Sequence, residues 1–276
     1  MGKNRTVVIP NLPTIETAKS RSLNRNDVDF AQSLSFRRNE MQTFESPLPA
    51  KGAVASRPSV NPLHVVCFST YVAESTEQTN RHRDVRNFLL ALRGEQIVGE
   101  SKIPVGAEER TLTNENANDS IDWFGEMVTS YVETCHIQPP FSMVPVPTSK
   151  TTLESSAGPW TSLLAISIAS NGLDGVSILD VLRWKQPLEP PSQRDQTVSE
   201  LYENLAILQR LPERSPVILV DYLFTSSATL RACAARLRHH GADVLLGLCA
   251  GRTATKSSHD PFTVVTGGLH RYEPGH

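Results

Sequence analysis

Four apolar residues, Val217 to Val220, lead into an acid, Asp221, and a run of small hydroxylated residues follows: Thr225, Ser226, Ser227 and, past Ala228, Thr229. The apolar run predicts a strand buried on both faces. Asp221 then stands at its carboxyl end, where open α/β sheets bind their ligands. The hydroxylated run enters a helix predicted from Thr229 to His240 and closed by Gly241 at its C′ position. Free backbone N–H groups and the helix dipole suit a phosphate at such a point, and the hydroxyls add donors. A phosphate cradle beside a carboxylate that can accept hydrogen bonds from sugar hydroxyls is chemistry for a sugar phosphate or a nucleotide. A Ser/Thr-rich turn before a helix is also an ordinary N-cap, so the turn alone does not decide the matter.

A second stretch, Val144-Pro145-Val146-Pro147, closes an apolar strand beginning at Phe141 and continues into Thr148, Ser149 and Lys150. The prolines fix the chain where it leaves the strand, which a rigid strand exit would need with or without a ligand. The elements that must position these two loops follow from periodicity. Leu63 to Tyr71 is a β-rich run. Asp84 to Arg93 puts Val85, Phe88, Leu89 and Leu92 on one helical face, with Gly94 to end it. Residues 100 to 120 read as a polar loop, and Ile121 to Cys135 as an amphipathic helix with Ser120 as N-cap. Gly158 to Ser170 predicts a helix with Pro159 in its first turn, and Val176 to Trp184 a strand. After the Pro-rich break Gln186 to Gln196, Val198 to Leu208 reads as helix and Val244 to Ala250 as another buried strand. Alternation of strand and helix in this order predicts parallel pairing. The fold class is α/β, an open, mostly parallel sheet flanked by helices.

The totals set the frame. The chain has 276 residues, 39% of them hydrophobic, and a formal charge of -2, which gives no global reason to expect nucleic acid or an acidic membrane surface. Cys67, Cys135, Cys233 and Cys249 form no C-x-x-C pair, so neither a zinc ribbon nor a disulfide framework is expected. No charged start is followed by an apolar run and no stretch approaches membrane-spanning length, so a cytoplasmic protein without membrane contact is expected. Residues 1–60 are polar and aperiodic, with nine basic and five acidic residues. Such a segment buries too little surface to offset its ordering entropy, and a flexible N-terminal arm is expected there, with the domain over 61–276.

The segment Val217 to Thr229 resembles the motif by which type I phosphoribosyltransferases bind phosphoribosyl pyrophosphate (PRPP): four apolar residues, two acids, two variable residues, a Thr/Ser pair, Gly, any residue, Thr. Val217 to Val220 match the apolar run, Asp221 the first acid, Thr225 and Ser226 the hydroxyl pair, and Thr229 the last position. Tyr222 stands in place of the second acid and Ser227 in place of Gly. Val144 to Pro147 with Thr148, Ser149 and Lys150 is similar to the pyrophosphate loop of the ComF-like branch, as are Phe88 to Glu95 and Gln196 to Ala206 to other segments of that branch. The resemblance covers about residues 65 to 255.

What the resemblance implies is a 5′-phosphate on Thr225, Ser226, Ser227, Ala228 and Thr229, and pyrophosphate on Thr148, Ser149 and Lys150. Asp221 and Tyr222 then occupy the catalytic positions beside the ribose, and Mg²⁺ arrives with PRPP, with no protein metal site. A neutral phenol cannot supply the charge of the second acid near pH 7. The implied function is therefore a phosphoribosyltransferase-like protein that binds PRPP or a nucleotide 5′-phosphate with weak or lost transferase activity. The alternatives are an active PRPP- and Mg-dependent transferase, and an effector in a DNA-uptake or phage-defence assembly whose protein or nucleoprotein partner meets the N-terminal arm. His239 and His240 read as partners of the terminal helix carbonyls and Arg231, Arg236 and Arg238 as a solvated face, with Trp123 and Trp160 assigned to packing.

Overall fold

The computed structural model describes residues 62–72, 79–155, 161–171, 173–189, 196–209, 211, 213–255 and 260–274. The predicted arm, residues 158–160 of the predicted helix start and most of the Pro-rich break lie outside them.

The apolar run at Leu63 divides into β1 (Leu63–Cys67) and β2 (Thr70–Val72). Helix α1 (Asn80–Leu92) begins before Asp84 because Thr79 and His82 form a reciprocal cap at its start. Its buried Val85, Phe88, Leu89 and Leu92 are the predicted face, and Gly94, at a φ of 71°, turns the chain out of it. Residues 100–120 are not a loop. They form a hairpin of β3 (Ser101–Val105) and β4 (Glu108–Leu112), turned at Gly106 with φ 63°. Ser101, Ile103, Val105 and Leu112 bury one face of it, a period-two pattern diluted by charged neighbours. Helix α2 (Asp119–Thr134) follows Asn118, whose side chain makes no capping bond, and Ser120 lies inside the first turn with its hydroxyl donating to the Ala117 carbonyl at 2.6 Å.

Strand β5 (Phe141–Pro145) precedes α3 (Thr161–Ser170) and β6 (Val176–Ile178). The predicted strand Val176 to Trp184 is two strands in different sheets, because β7 (Leu182–Trp184) pairs antiparallel with β8 (Leu205–Ile207). The predicted helix Val198 to Leu208 stops correspondingly early, as α4 (Val198–Asn204). The chain then runs β9 (Pro216–Phe224), α5 (Ser227–His239), β10 (Asp243–Ala254) and β11 (Val265–Leu269).

The main sheet has the order β11-β1-β10-β9-β5-β6, with β2 continuing along β10. Every pairing in it is parallel except β1 with β11. This is the expected open, mostly parallel α/β sheet. One face packs on α1, α2 and α3 through Phe88, Phe124, Val128 and Ile168. The other packs on α4, α5 and the paired strands β7 and β8 through Leu201, Leu230, Leu237 and the fully buried Trp184. From β5 the chain therefore crosses over the first face to β6, and from β9 over the second face to β10. The direction of winding reverses between β5 and β9, and such a switch point opens a crevice at the carboxyl ends of the strands.

Candidate functional site at the switch point

The two loops singled out by residue type leave the two strands that flank this reversal. Pro145 lies opposite Val220, and the Val146 N–H donates to the Val220 carbonyl at 2.9 Å, so β5 and β9 reach the crevice side by side. Past β5 the chain turns tightly. The Thr151 N–H donates to the Thr148 carbonyl at 2.9 Å, and the two threonine hydroxyls lie 2.7 Å apart. The indole of Trp184 donates to the Pro147 carbonyl and the Leu188 N–H to that of Ser149, fastening the loop to β7. Thr148 and Ser149 are half-buried and Lys150 is exposed. The Thr161 hydroxyl donates to the Val146 carbonyl at 2.6 Å, which brings the first turn of α3 to the end of β5. In that turn the buried Ser162 hydroxyl has no hydrogen-bond partner among the described residues.

Strand β9 runs longer than its four apolar residues suggested. It stays paired with β10 through Phe224, opposite Arg252. Only Thr225 and Ser226 then separate strand from helix. Ser226 is an extended, exposed N-cap whose side chain makes no capping bond. Ser227, Ala228 and Thr229 form the first turn of α5, which presents their backbone N–H groups where no intrahelical acceptor exists. All five predicted phosphate residues thus lie at one helix end, two in the turn and three in the helix.

Asp221 and Tyr222 are not brought together. Asp221 is opposite Cys249 and near Cys233 of α5, on the second face of the sheet. Burial pushes its carboxyl up to about 7, against the opposing pull of the Tyr222 and Leu223 backbone N–H groups; the first donates at 2.7 Å. Burial likewise raises the thiols of Cys233 and Cys249 well above their ordinary range, with the Asp221 charge adding to it. Tyr222 projects to the first face. Its hydroxyl donates to the Leu89 carbonyl at 2.7 Å, and the Arg93 guanidinium lies 5.8 Å from its ring centre. Burial raises the phenol further, so it is neutral across the physiological range. The side chain at the second acid position is an anchor between β9 and α1.

The fit to Mg²⁺ follows from the donors. The ion prefers six oxygen ligands and takes one or two carboxylates with the rest from water and phosphate. Among the described residues no three His, Cys, Asp or Glu side chains converge on a common point.

No protein-family model matches the sequence, and no curated protein matches it significantly. The fold is similar to that of solved adenine phosphoribosyltransferases. One matches over 61% of this chain and 88% of its own length at 16% identity, with a TM-score of 0.35. The enzyme of Saccharomyces cerevisiae, in complex with an imino-altritol bisphosphate and adenine, matches over 60% and 89% at 15% identity and the same TM-score. That of Thermoanaerobacter pseudethanolicus covers 55% of this chain and 95% of its own at 17% identity and a TM-score of 0.32. At such values the likeness adds nothing to what the strand order already shows. Among the described residues no helix is long and apolar enough to cross a membrane.

Proposed function

We propose that the chain is a phosphoribosyltransferase-like protein that binds PRPP or a nucleotide 5′-phosphate at the switch point and turns it over weakly or not at all. The observation that carries the binding half is that two hydroxyl-bearing loops leave adjacent parallel strands where the winding reverses, one of them entering α5. The 5′-phosphate sits on Thr225, Ser226 and the N–H groups of Ser227, Ala228 and Thr229, and pyrophosphate on Thr148, Ser149 and Lys150. The sugar hydroxyls donate to Asp221. Mg²⁺ enters with the pyrophosphate of the ligand.

Tyr222 carries the other half. Departure of pyrophosphate leaves positive charge on the ribose, and catalysis needs preorganised negative charge beside it. Tyr222 is neutral, and its hydroxyl is already given to Leu89. One such group commonly contributes a hundredfold or more in rate. The relationship we propose is to the ComF-like branch, on Val144 to Lys150 and Val217 to Thr229. The same reading makes it a cytoplasmic protein whose residues 1–60 serve as an arm for a protein or nucleoprotein partner in DNA uptake or defence.

Calorimetric titration with PRPP and with nucleoside 5′-monophosphates tests the site. Thr229→Ala removes a hydroxyl donor to a charged acceptor, worth on the order of 1.5–3 kcal/mol, and so weakens binding roughly ten- to a hundredfold. Unchanged affinity in a folded Thr229→Ala protein would remove the hydroxyl turn from the site.

A further inference from the structure

A cavity of about 280 Å³ lies beside the first two turns of α1, lined by Thr79, Asn80, Arg83, Arg86, Asn87 and Val98. No residue of β5, β9 or the loops that leave them is part of it. One side chain fixes the wall that faces the helix. Asn87 is 1% exposed, and its amide donates to the Val98 carbonyl at 3.0 Å and to the Ser101 hydroxyl at 2.8 Å. The Val98 N–H donates back to the Asn87 side chain at 3.4 Å, and Gly99, at a φ of 70°, turns the chain away. Val98 is held in this way although it is 75% exposed.

The charge in this cavity is of one sign. The acids near the start of α1 are taken by Arg81, which is not part of the lining: it meets Asp84 at 3.9 Å, Glu109 at 3.2 Å and Asp260 at 3.4 Å. The first turn of α1 holds no acid, and no carboxylate lines the cavity. Arg83 and Arg86 stand one turn apart on a single helical face and make no ion pair or hydrogen bond among the described residues. Arg86 acts through space on the Tyr71 phenol, which burial raises and the guanidinium lowers. Two like charges one turn apart repel each other, and an anion between them relieves the repulsion. A phosphate monoester meets this need better than a carboxylate does. It carries about two negative charges near pH 7.5, and its oxygens match two guanidinium forks. The volume lies at the lower edge of small-molecule pockets, roughly 300 Å³, which suits a triose or sugar phosphate.

We propose that this cavity is a second anion site of the chain, taking the phosphate of a small phosphorylated metabolite between Arg83 and Arg86 with the carbon part of the ligand against Val98. It stands apart from the switch point and does not rest on the reading of that site.

The test uses the full chain, labelled with ¹⁵N and titrated with glycerol 3-phosphate at two salt concentrations. Saturable shifts of the Val98 amide and the Asn80 side-chain amide are expected. Arg83→Gln and Arg86→Gln each weaken binding at least tenfold and flatten its dependence on salt, because a charge partner of the phosphate is gone. Both variants keep the native melting temperature, since neither arginine bonds to the described residues, so lost binding is lost contact with the ligand. Arg83→Lys and Arg86→Lys recover only part of the loss, because an ammonium lacks the planar fork. Thr229→Ala leaves these shifts unchanged, which separates the cavity from the switch point. Shifts that never saturate, or native affinity in both glutamine variants, overturn the site. Loss of the shifts in Thr229→Ala assigns them to the crevice and overturns it too. Equal affinity for inorganic sulfate shows that the carbon part is not recognised and overturns the choice of ligand. So do shifts caused by a single-stranded oligonucleotide and not by glycerol 3-phosphate.

Discussion

Asp221→Asn is expected to stabilise the protein at neutral pH while weakening its ligand. The carboxyl is held up to about 7 by burial, and no cation is among the groups that act against it. Between the ordinary aspartate value and 7 the unfolded chain has lost this proton and the folded protein retains it. Folded stability therefore falls as pH rises through that window, and the whole cost is present above 7. Each tenfold change in proton affinity between the folded and unfolded states is worth about 1.4 kcal/mol. Ionisation of Asp221 thus costs the fold up to ~4 kcal/mol at pH 8 and ~2 kcal/mol or less at pH 5. Asparagine preserves the acceptor for the Tyr222 N–H and carries no charge. Urea unfolding of native and Asp221→Asn protein, run from pH 5 to 8, should show a stability gap that widens by ~2–3 kcal/mol toward the alkaline end. Affinity for PRPP should fall in the same variant, since an ionised carboxylate accepts the sugar hydroxyls better than an amide does. A gap that stays constant with pH would refute the claim that this carboxyl is desolvated. A pH-dependent gap with undiminished PRPP affinity would refute its ligand role.

Three further outcomes follow from contacts of known geometry. Affinity for PRPP should rise as pH passes through about 7, because the ionised form of Asp221 is the better acceptor; a flat profile from pH 6 to 8 in a calorimetric series would contradict this. Tyr222→Phe leaves the buried Leu89 carbonyl without its 2.7 Å donor and should cost on the order of 1–2 kcal/mol in denaturant unfolding while leaving ligand affinity unchanged; lost affinity with full stability would return Tyr222 to the site. Gly125→Ala drives a Cβ to 2.3 Å from the Ser167 hydroxyl and 3.0 Å from the Ser167 carbonyl carbon, where α2 meets α3, so the melting temperature should drop for ~1–3 kcal/mol of overpacking; an unchanged melting curve would mean that the two helices separate freely.

The sheet class and the placement of both loops were legible because buried parallel strands advertise themselves as unbroken apolar runs followed by a change of character. Val217 to Asp221 and Phe141 to Pro147 are of this kind. Local pattern failed where long-range pairing decides the outcome. Leu205, Ala206 and Ile207 continue the helical phase of Val198 to Asn204, yet they form a strand. Asn204 breaks the helix by exchanging two amide hydrogen bonds with the main chain of Gln186, and Leu205 pairs with Trp184. The β3–β4 hairpin was hidden because its outward positions carry Lys102, Glu108 and Glu109, so the mean composition reads as loop. At the site, sequence spacing put Asp221 and Tyr222 next to each other, whereas the pleat sends them to opposite faces. A strand ending at residue 220 would have allowed both to turn toward a ligand, and pairing with β10 as far as Phe224 prevents it.

A single ³¹P magnetic resonance time course with stoichiometric protein, PRPP and Mg²⁺ separates the two halves of the account. It reports occupancy of the crevice through the 5′-phosphate resonance and turnover through free pyrophosphate in one sample. Binding at the switch point without strong catalysis predicts a shifted or broadened 5′-phosphate signal, moved toward its free position by Thr229→Ala. It predicts pyrophosphate release at no more than the rate without protein. Pyrophosphate release at about one per second or faster, the ordinary range of enzymes, would contradict the loss of catalysis at Tyr222. A 5′-phosphate signal that never departs from that of free PRPP would contradict the site itself.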